Sequence, residues 1–240
     1  MRIEQTSVYL KNLVQDAISG ALLPAAFQRP YVWTRADALA LFESILRGYP
    51  VGGFLIWTPY AKADASKVAR TRLGPVQLTH SAQAQSFILD GQNRLATMAW
   101  LAKDPEETIP YGLTDHEKDV WAKGDQLVID CERKALRWVS PSEMSSGLRL
   151  PAGCLLDSRL TNREVRKNWD TTWAHHTEAE KNEALKVLDL CSRAFSDAKV
   201  IVTNLEHASA VEAKDAFLHI CKVGVPMAES DLEAAVAWAR

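Results

Sequence analysis

Residues 88–94 read Ile88-Leu89-Asp90-Gly91-Gln92-Asn93-Arg94. The run opens apolar and closes on an acid, a glycine, two amides and an arginine. A helical apolar pattern follows at Leu95, Met98, Ala99, Leu101 and Ala102. This order predicts a strand that hands polar side chains to the start of a helix. The first turn of a helix leaves backbone N–H groups unpaired and carries the positive end of the helix dipole, which suits a phosphate or another anion. Arg94, one turn in, is placed to clamp that anion. Asp90 is placed to accept from a ribose hydroxyl or to hold Mg²⁺. A plainer reading stands beside it, in which Asp90 caps the helix and Arg94 pairs with a surface acid.

A second unusual cluster lies upstream. Phe27-Gln28-Arg29-Pro30-Tyr31-Val32-Trp33 packs three aromatics, a proline, a glutamine and an arginine into seven positions. Pro30 bars Arg29 from a helix interior and biases it towards extended backbone. Gln28 and Arg29 therefore sit on an ordered, non-helical segment anchored by aromatic rings. Either the rings are core and Arg29 covers them with its stem, or Gln28 and Arg29 face a ligand.

Outward from these two segments the text reads as short strands among helices. Ser7 is the expected N-cap of a helix with Leu10, Leu13, Val14, Ala17 and Ile18 on one face, ended by Gly20. A second helix is expected from Thr34-Arg35 through Leu39, Phe42, Ile45 and Leu46 to Gly48. Phe54–Trp57 predicts a buried strand. Residues 59–84, with Gly74-Pro75, predict a long loop. Strand 86–89 and helix 91–103 follow. Residues 126–131 and 135–139 predict a hairpin around Arg133-Lys134, and Pro141 and Pro151 bracket a loop. Beyond 161 the text is mainly helical. Ala179–Ala198 should turn Leu185, Leu188, Leu190 and Phe195 inward. A strand is expected at 199–205, and helices at 209–222 and 230–240. The whole predicts an α+β fold, with a core at 1–140 and a mainly helical extension at 141–240 that returns one strand to it.

Composition bounds the rest. The chain has 240 residues, 47% hydrophobic and 24% charged, with a formal net charge of −2. A duplex-DNA binder that relies on phosphate contacts usually carries a basic surplus. A local basic patch at Lys62, Lys67, Arg70 and Arg72 reads as a solvated loop. Cys131, Cys154, Cys191 and Cys221 are far apart and form no Cys-x-x-Cys pair, so zinc is not expected and buried reduced thiols are. The start of the chain has no apolar signal core, and no run is long enough to span a membrane; a cytoplasmic location is expected. Trp100, Trp121, Trp138, Trp169, Trp173 and Trp238 are expected to serve packing.

Taken in order, Leu23-Pro24 with Phe27–Trp33, then Leu41-Phe42-Glu43-Ser44-Ile45-Leu46-Arg47-Gly48-Tyr49-Pro50-Val51-Gly52-Gly53-Phe54-Leu55-Ile56-Trp57, then Ile88–Leu95, resemble the N-terminal domain of GmrSD-type, modification-dependent restriction enzymes. That domain is similar to ParB and sulfiredoxin-like proteins. Its hallmark Asp-Gly-Gln-Gln-Arg appears here with Asn93 at the second glutamine. Phe217-Leu218-His219-Ile220-Cys221-Lys222-Val223-Gly224-Val225-Pro226-Met227, then Asp231-Leu232, resembles a later family segment, with Cys221 at a position usually held by Asn. The resemblance implies nucleotide binding and NTP hydrolysis. Asp90, Gln92 and Arg94 would be catalytic, and Gln28, Arg29, Gly91, Asn93 and Trp33 would bind nucleotide. Asp90 would be the ligand for a possible Mg²⁺, and Gln92 or Gln28 would orient the attacking water.

It also implies a role in anti-phage defence against modified DNA, coupled to an HNH-type nuclease. The six histidines stand in no such nuclease cluster. The chain is therefore expected to be a short family member, a fragment, or one partner of a separate nuclease subunit, with 231–240 read either as a packed C-terminal helix or as the docking element for that partner. Two other functions remain open. One is a non-catalytic module of the same fold that binds DNA or a partner protein. The other is a weak ParB-like metal-dependent nuclease.

Overall fold

The computed structural model describes residues 1–60, 69–78, 85–102 and 112–222, with residues 221 and 222 described by their backbone alone. The fold is α+β. Five strands form a mixed sheet in the order β1 (Arg2–Tyr9), β10 (Lys199–Glu206), β3 (Phe54–Thr58), β6 (Ser86–Asp90), β2 (Leu22–Pro24). β1 is antiparallel to β10, β10 parallel to β3, β3 antiparallel to β6, and β6 parallel to β2. Phe54, Leu55, Ile56 and Trp57 are all buried, as expected of a central strand covered on both faces.

Around the sheet lie α1 (Leu10–Ile18), α2 (Arg35–Leu46), α3 (Gln92–Leu101), α4 (Asp115–Trp121), the short α5 (Pro141–Met144), α6 (Ser158–Trp169), α7 (Glu178–Asp197) and α8 (Ala210–Lys222). A small hairpin joins β4 (Arg72–Leu73) to β5 (Val76–Gln77), and a three-stranded antiparallel sheet orders β8 (Ala135–Val139), β7 (Gln126–Asp130) and β9 (Arg149–Pro151). One contiguous apolar core runs through both parts of the chain, from Leu10 to Ala213. No described helix is long and apolar enough to cross a membrane.

Local chemistry explains most of the helix starts. Thr34 with Asp37, Thr114 with Glu117, Ser140 with Glu143 and Thr177 with Glu180 each form a reciprocal capping box, which satisfies two orphan donors at each start. The first expected helix begins later than Ser7. Ser7 lies inside β1, opposite Ile201, and Tyr9 holds the N-cap position without a side-chain hydrogen bond. β1 is an edge strand with scarcely a buried residue, so no apolar alternation announced it. The loop expected at 59–84 contains the β4–β5 hairpin, and Arg72 there pairs with buried Glu117 at 2.7 Å instead of facing solvent. α5 and β9 occupy the stretch between Pro141 and Pro151. On α7, Leu190 is 70% exposed while Ala184, Val187, Leu188, Cys191 and Phe195 face the core; the buried stripe lies to one side of the position expected for Leu190.

Five of these tryptophans pack as expected: Trp121 lies between Trp100 and Trp138 at 5.6 and 5.7 Å, and Trp173 is fully buried against Trp169. Cys131, Cys154 and Cys191 are buried and free, and burial pushes the Cys131 and Cys154 thiols up to about 12. Lys62, Lys67, Trp238 and the helix expected at 230–240 lie outside the described residues, as does the Cys221 side chain.

Candidate functional site

β6 ends at Asp90, and Gly91 turns the chain into α3 with φ +94°. Only glycine suits this step. The left-handed backbone disfavours any Cβ, and one built here would stand 2.4 Å from the ring of Phe54. Gly91 is also the N-cap of α3, and no side chain caps that helix. Asp90 therefore does not take the capping role. The first N–H groups of α3 stay available at the positive end of its dipole.

The two segments quoted at the outset meet here. Phe27, Gln28, Arg29 and Trp33 line one cavity of about 540 Å³ with Asp90, Gly91, Gln92, Asn93 and Arg94. All eight residues expected at the site border it, and Phe217 of α8 joins them. Three hydrogen bonds link the segments across some sixty residues of sequence. The Gln28 amide donates to the Leu89 carbonyl. Gln92 Nε2 donates to the Arg29 carbonyl at 3.0 Å, and Val32 N donates to Asn93 Oδ1 at 3.4 Å. Tyr31, buried, is held by Thr97 at 2.8 Å and by the Trp121 ring. The amides of Gln28 and Gln92 thus fix the backbone that presents Arg29. Gln92 Oε1 is buried and has no hydrogen-bond partner.

The two arginines differ in kind. Arg94 is held fast. Its Nη1 donates to the Val51 carbonyl at 2.7 Å, its Nη2 lies 3.5 Å from Asp90, and its guanidinium sits 4.8 Å over the Phe54 ring. Burial lowers its pKa and the Asp90 charge opposes that shift. An arginine remains charged through such a change. Gly52, at φ +83°, makes room for it: a Cβ there would fall 2.2 Å from Arg94 Nη1. Arg29 is exposed, and its side chain has no hydrogen bond or ion pair among the described residues. The lining therefore carries two guanidinium groups against one carboxylate, Asp90, whose side chain is 56% exposed.

That lone carboxylate sets what the site can do with a metal. Mg²⁺ keeps several waters and is commonly held by one or two carboxylates together with substrate phosphates. Asp90 fits a Mg²⁺ that arrives on phosphates. No cluster of three or more His, Cys, Asp or Glu residues suited to a metal occurs among the described residues.

Phe217 was not among the residues expected at the site. Its only sequence signal was its place at the head of the later family-like segment, with nothing local to aim it at residues 27–33. No curated protein matches the chain. The sequence model of the family described as GmrSD restriction endonuclease, N-terminal domain, matches residues 10–236, a span that contains both linked segments and α8. The chain accordingly belongs to the N-terminal-domain family of the GmrSD restriction endonucleases and is a restriction-system component.

Proposed function

We propose that this domain binds a nucleoside triphosphate in the cavity between residues 27–33 and 90–94, hydrolyses it slowly, and so regulates a restriction system. The observation that carries the reading is the pairing of a fixed guanidinium, Arg94, with an unengaged one, Arg29, beside an uncapped helix start. Arginine and helix N–H groups both favour phosphate oxygens. Asp90 would repel a bare triphosphate and would accept one that carries Mg²⁺. A nuclease partner and DNA belong to the same reading, by way of the family.

The binding test uses Arg29→Ala, because that side chain supports no described contact. Calorimetry should give a Kd for Mg²⁺–NTP at least tenfold weaker than wild type, as loss of a charged hydrogen bond of about 1.5–3 kcal/mol implies, with Tm unchanged. Equal affinity would remove Arg29 from the site. Mg²⁺ alone should not stabilise the protein, whereas Mg²⁺–NTP at a hundred times its Kd should add about 2.7 kcal/mol.

The turnover test is phosphate release. Wild type should release phosphate slowly with Mg²⁺, and Arg94→Ala, verified as folded by circular dichroism, should lose on the order of 10²-fold or more. Equal release by both proteins would place the activity elsewhere. The engagement of the Gln28 and Gln92 amide nitrogens with backbone carbonyls favours a second reading, in which the nucleotide is a switch ligand that is bound and not turned over. Tight binding without phosphate release would select it.

A further inference from the structure

We infer that Phe27 and Phe217 form the wall on which the nucleobase stacks, so that α8 is the element that senses a base in the cavity. The inference rests on the nucleotide reading above and adds to it which part of the ligand is recognised and by what.

Phe27 and Phe217 come from segments 190 residues apart and meet with ring centroids 5.2 Å apart and planes tilted by 43°. Both line the same cavity as Arg29, Asp90 and Arg94. Among the described residues the other pairs that involve phenylalanine, Phe42 with Phe195 and Trp57 with Phe87, are core pairs with every residue at most 3% exposed. Phe27 is 40% exposed and Phe217 is half-buried. A partly exposed aromatic pair beside two arginines and an uncapped helix start gives the cavity two chemistries. One side suits phosphates, and the other suits a flat aromatic heterocycle. Stacking on an aromatic ring tolerates any base because every base has a π-face.

The mechanical consequence lies in how α8 is attached. Its start is anchored: Trp57 Nε1 donates to the Ala208 carbonyl at 2.8 Å, Ser209 and Glu212 cap each other, and Ala213 is fully buried. Among the described residues its later half is anchored mainly by Ala216 and Phe217, while Leu218 and Ile220 are 40% and 50% exposed. A base resting on Phe217 adds to the hold on that half. Triphosphate without a base does not reach it.

The experiment compares ATP, GTP, CTP and UTP with inorganic tripolyphosphate, all with Mg²⁺, by calorimetry and by hydrogen exchange. Wild type should bind at least one nucleotide about tenfold or more tighter than tripolyphosphate, in line with the value of one base–aromatic stack. Phe217→Ala, and separately Phe27→Ala, should lose most of that preference and keep the tripolyphosphate affinity. Phe217→Trp should restore it. Amides at 214–220 should gain protection with the nucleotide and not with tripolyphosphate.

Equal affinity of wild type for nucleotide and tripolyphosphate would overturn the stacking wall and leave the phosphate site standing. Parallel loss of both ligands in Phe217→Ala would make Phe217 a structural residue and overturn it as well. Failure of wild type to bind either ligand would overturn the nucleotide reading itself.

Discussion

Asp130→Ala should lower stability by about 3–5 kcal/mol, the usual consequence of removing one partner from a buried ion cluster. Asp130 is fully buried in β7. Its Oδ2 accepts from Arg149 Nε at 2.9 Å, Arg133 Nη1 at 3.0 Å and Arg137 Nη1 at 3.5 Å, and its Oδ1 accepts from Arg133 N at 3.1 Å. Arg149 is itself buried in β9, so the substitution leaves a guanidinium charge inside the three-stranded sheet without its counter-charge. At roughly 2–4 °C per kcal/mol for a chain of this size, Tm should fall by on the order of 10 °C.

The pH dependence carries a sign. Burial opposes the Asp130 charge most strongly, and the hydrogen bonds from Arg149 and Arg133 together outweigh it and hold the carboxyl below the usual carboxylate range. A depressed folded-state pKa gives stability that is complete above the unfolded value, about 3.9, and is lost as pH falls through the folded one. The gap between wild type and Asp130→Ala should therefore be constant from pH 7 to about 5 and narrow below about 4. Capped acids such as Asp37 and Glu180 titrate in both proteins and cancel in the difference. Urea melts across that range are the measurement. A gap that does not change down to pH 2 would show that the lost contribution is packing and not charge.

Gly91→Ala should disable both the fold and the site. Left-handed backbone costs a non-glycine residue about 1–2 kcal/mol, and the new methyl would collide with Phe54, which is 2% exposed and carries Arg94 on its face. Overpacking of this kind adds about 1–3 kcal/mol. The expected loss is about 3 kcal/mol, together with the nucleotide affinity proposed above, because the displaced ring is the platform for Arg94. Gly52→Ala is the informative companion. Its Cβ meets only the far end of Arg94, which can swing away. That variant should lose about 1–2 kcal/mol for its backbone and lose nucleotide affinity out of proportion to its stability. Equal Tm for Gly91→Ala and wild type would show that Phe54 yields, and the rigid platform would not stand.

Much of the architecture was legible because local chemistry announced it. Thr34-x-x-Asp37 and Gly48 bracket α2. The apolar run into Asp90-Gly91 marks β6 and the start of α3, and Arg133-Lys134 marks the β7–β8 turn. These signals act over a few residues, where spacing and caps decide conformation. α4 was missed although Thr114-x-x-Glu117 spelled its capping box.

The sequence by itself determined that residues 27–33 and 90–94 are special, since their residue types do not suit plain core or plain loop. It also determined the α+β class. Only the tertiary structure decided that the two segments line one cavity, because the Gln28, Gln92 and Asn93 hydrogen bonds that join them cross some sixty residues of chain. It likewise decided that β10 enters the sheet between β1 and β3, that Arg94 is a fixed group while the Arg29 side chain is unengaged among the described residues, and that Phe217 reaches the cavity. Each of these depends on which distant surfaces bury one another, and periodicity along a chain carries no record of the partner.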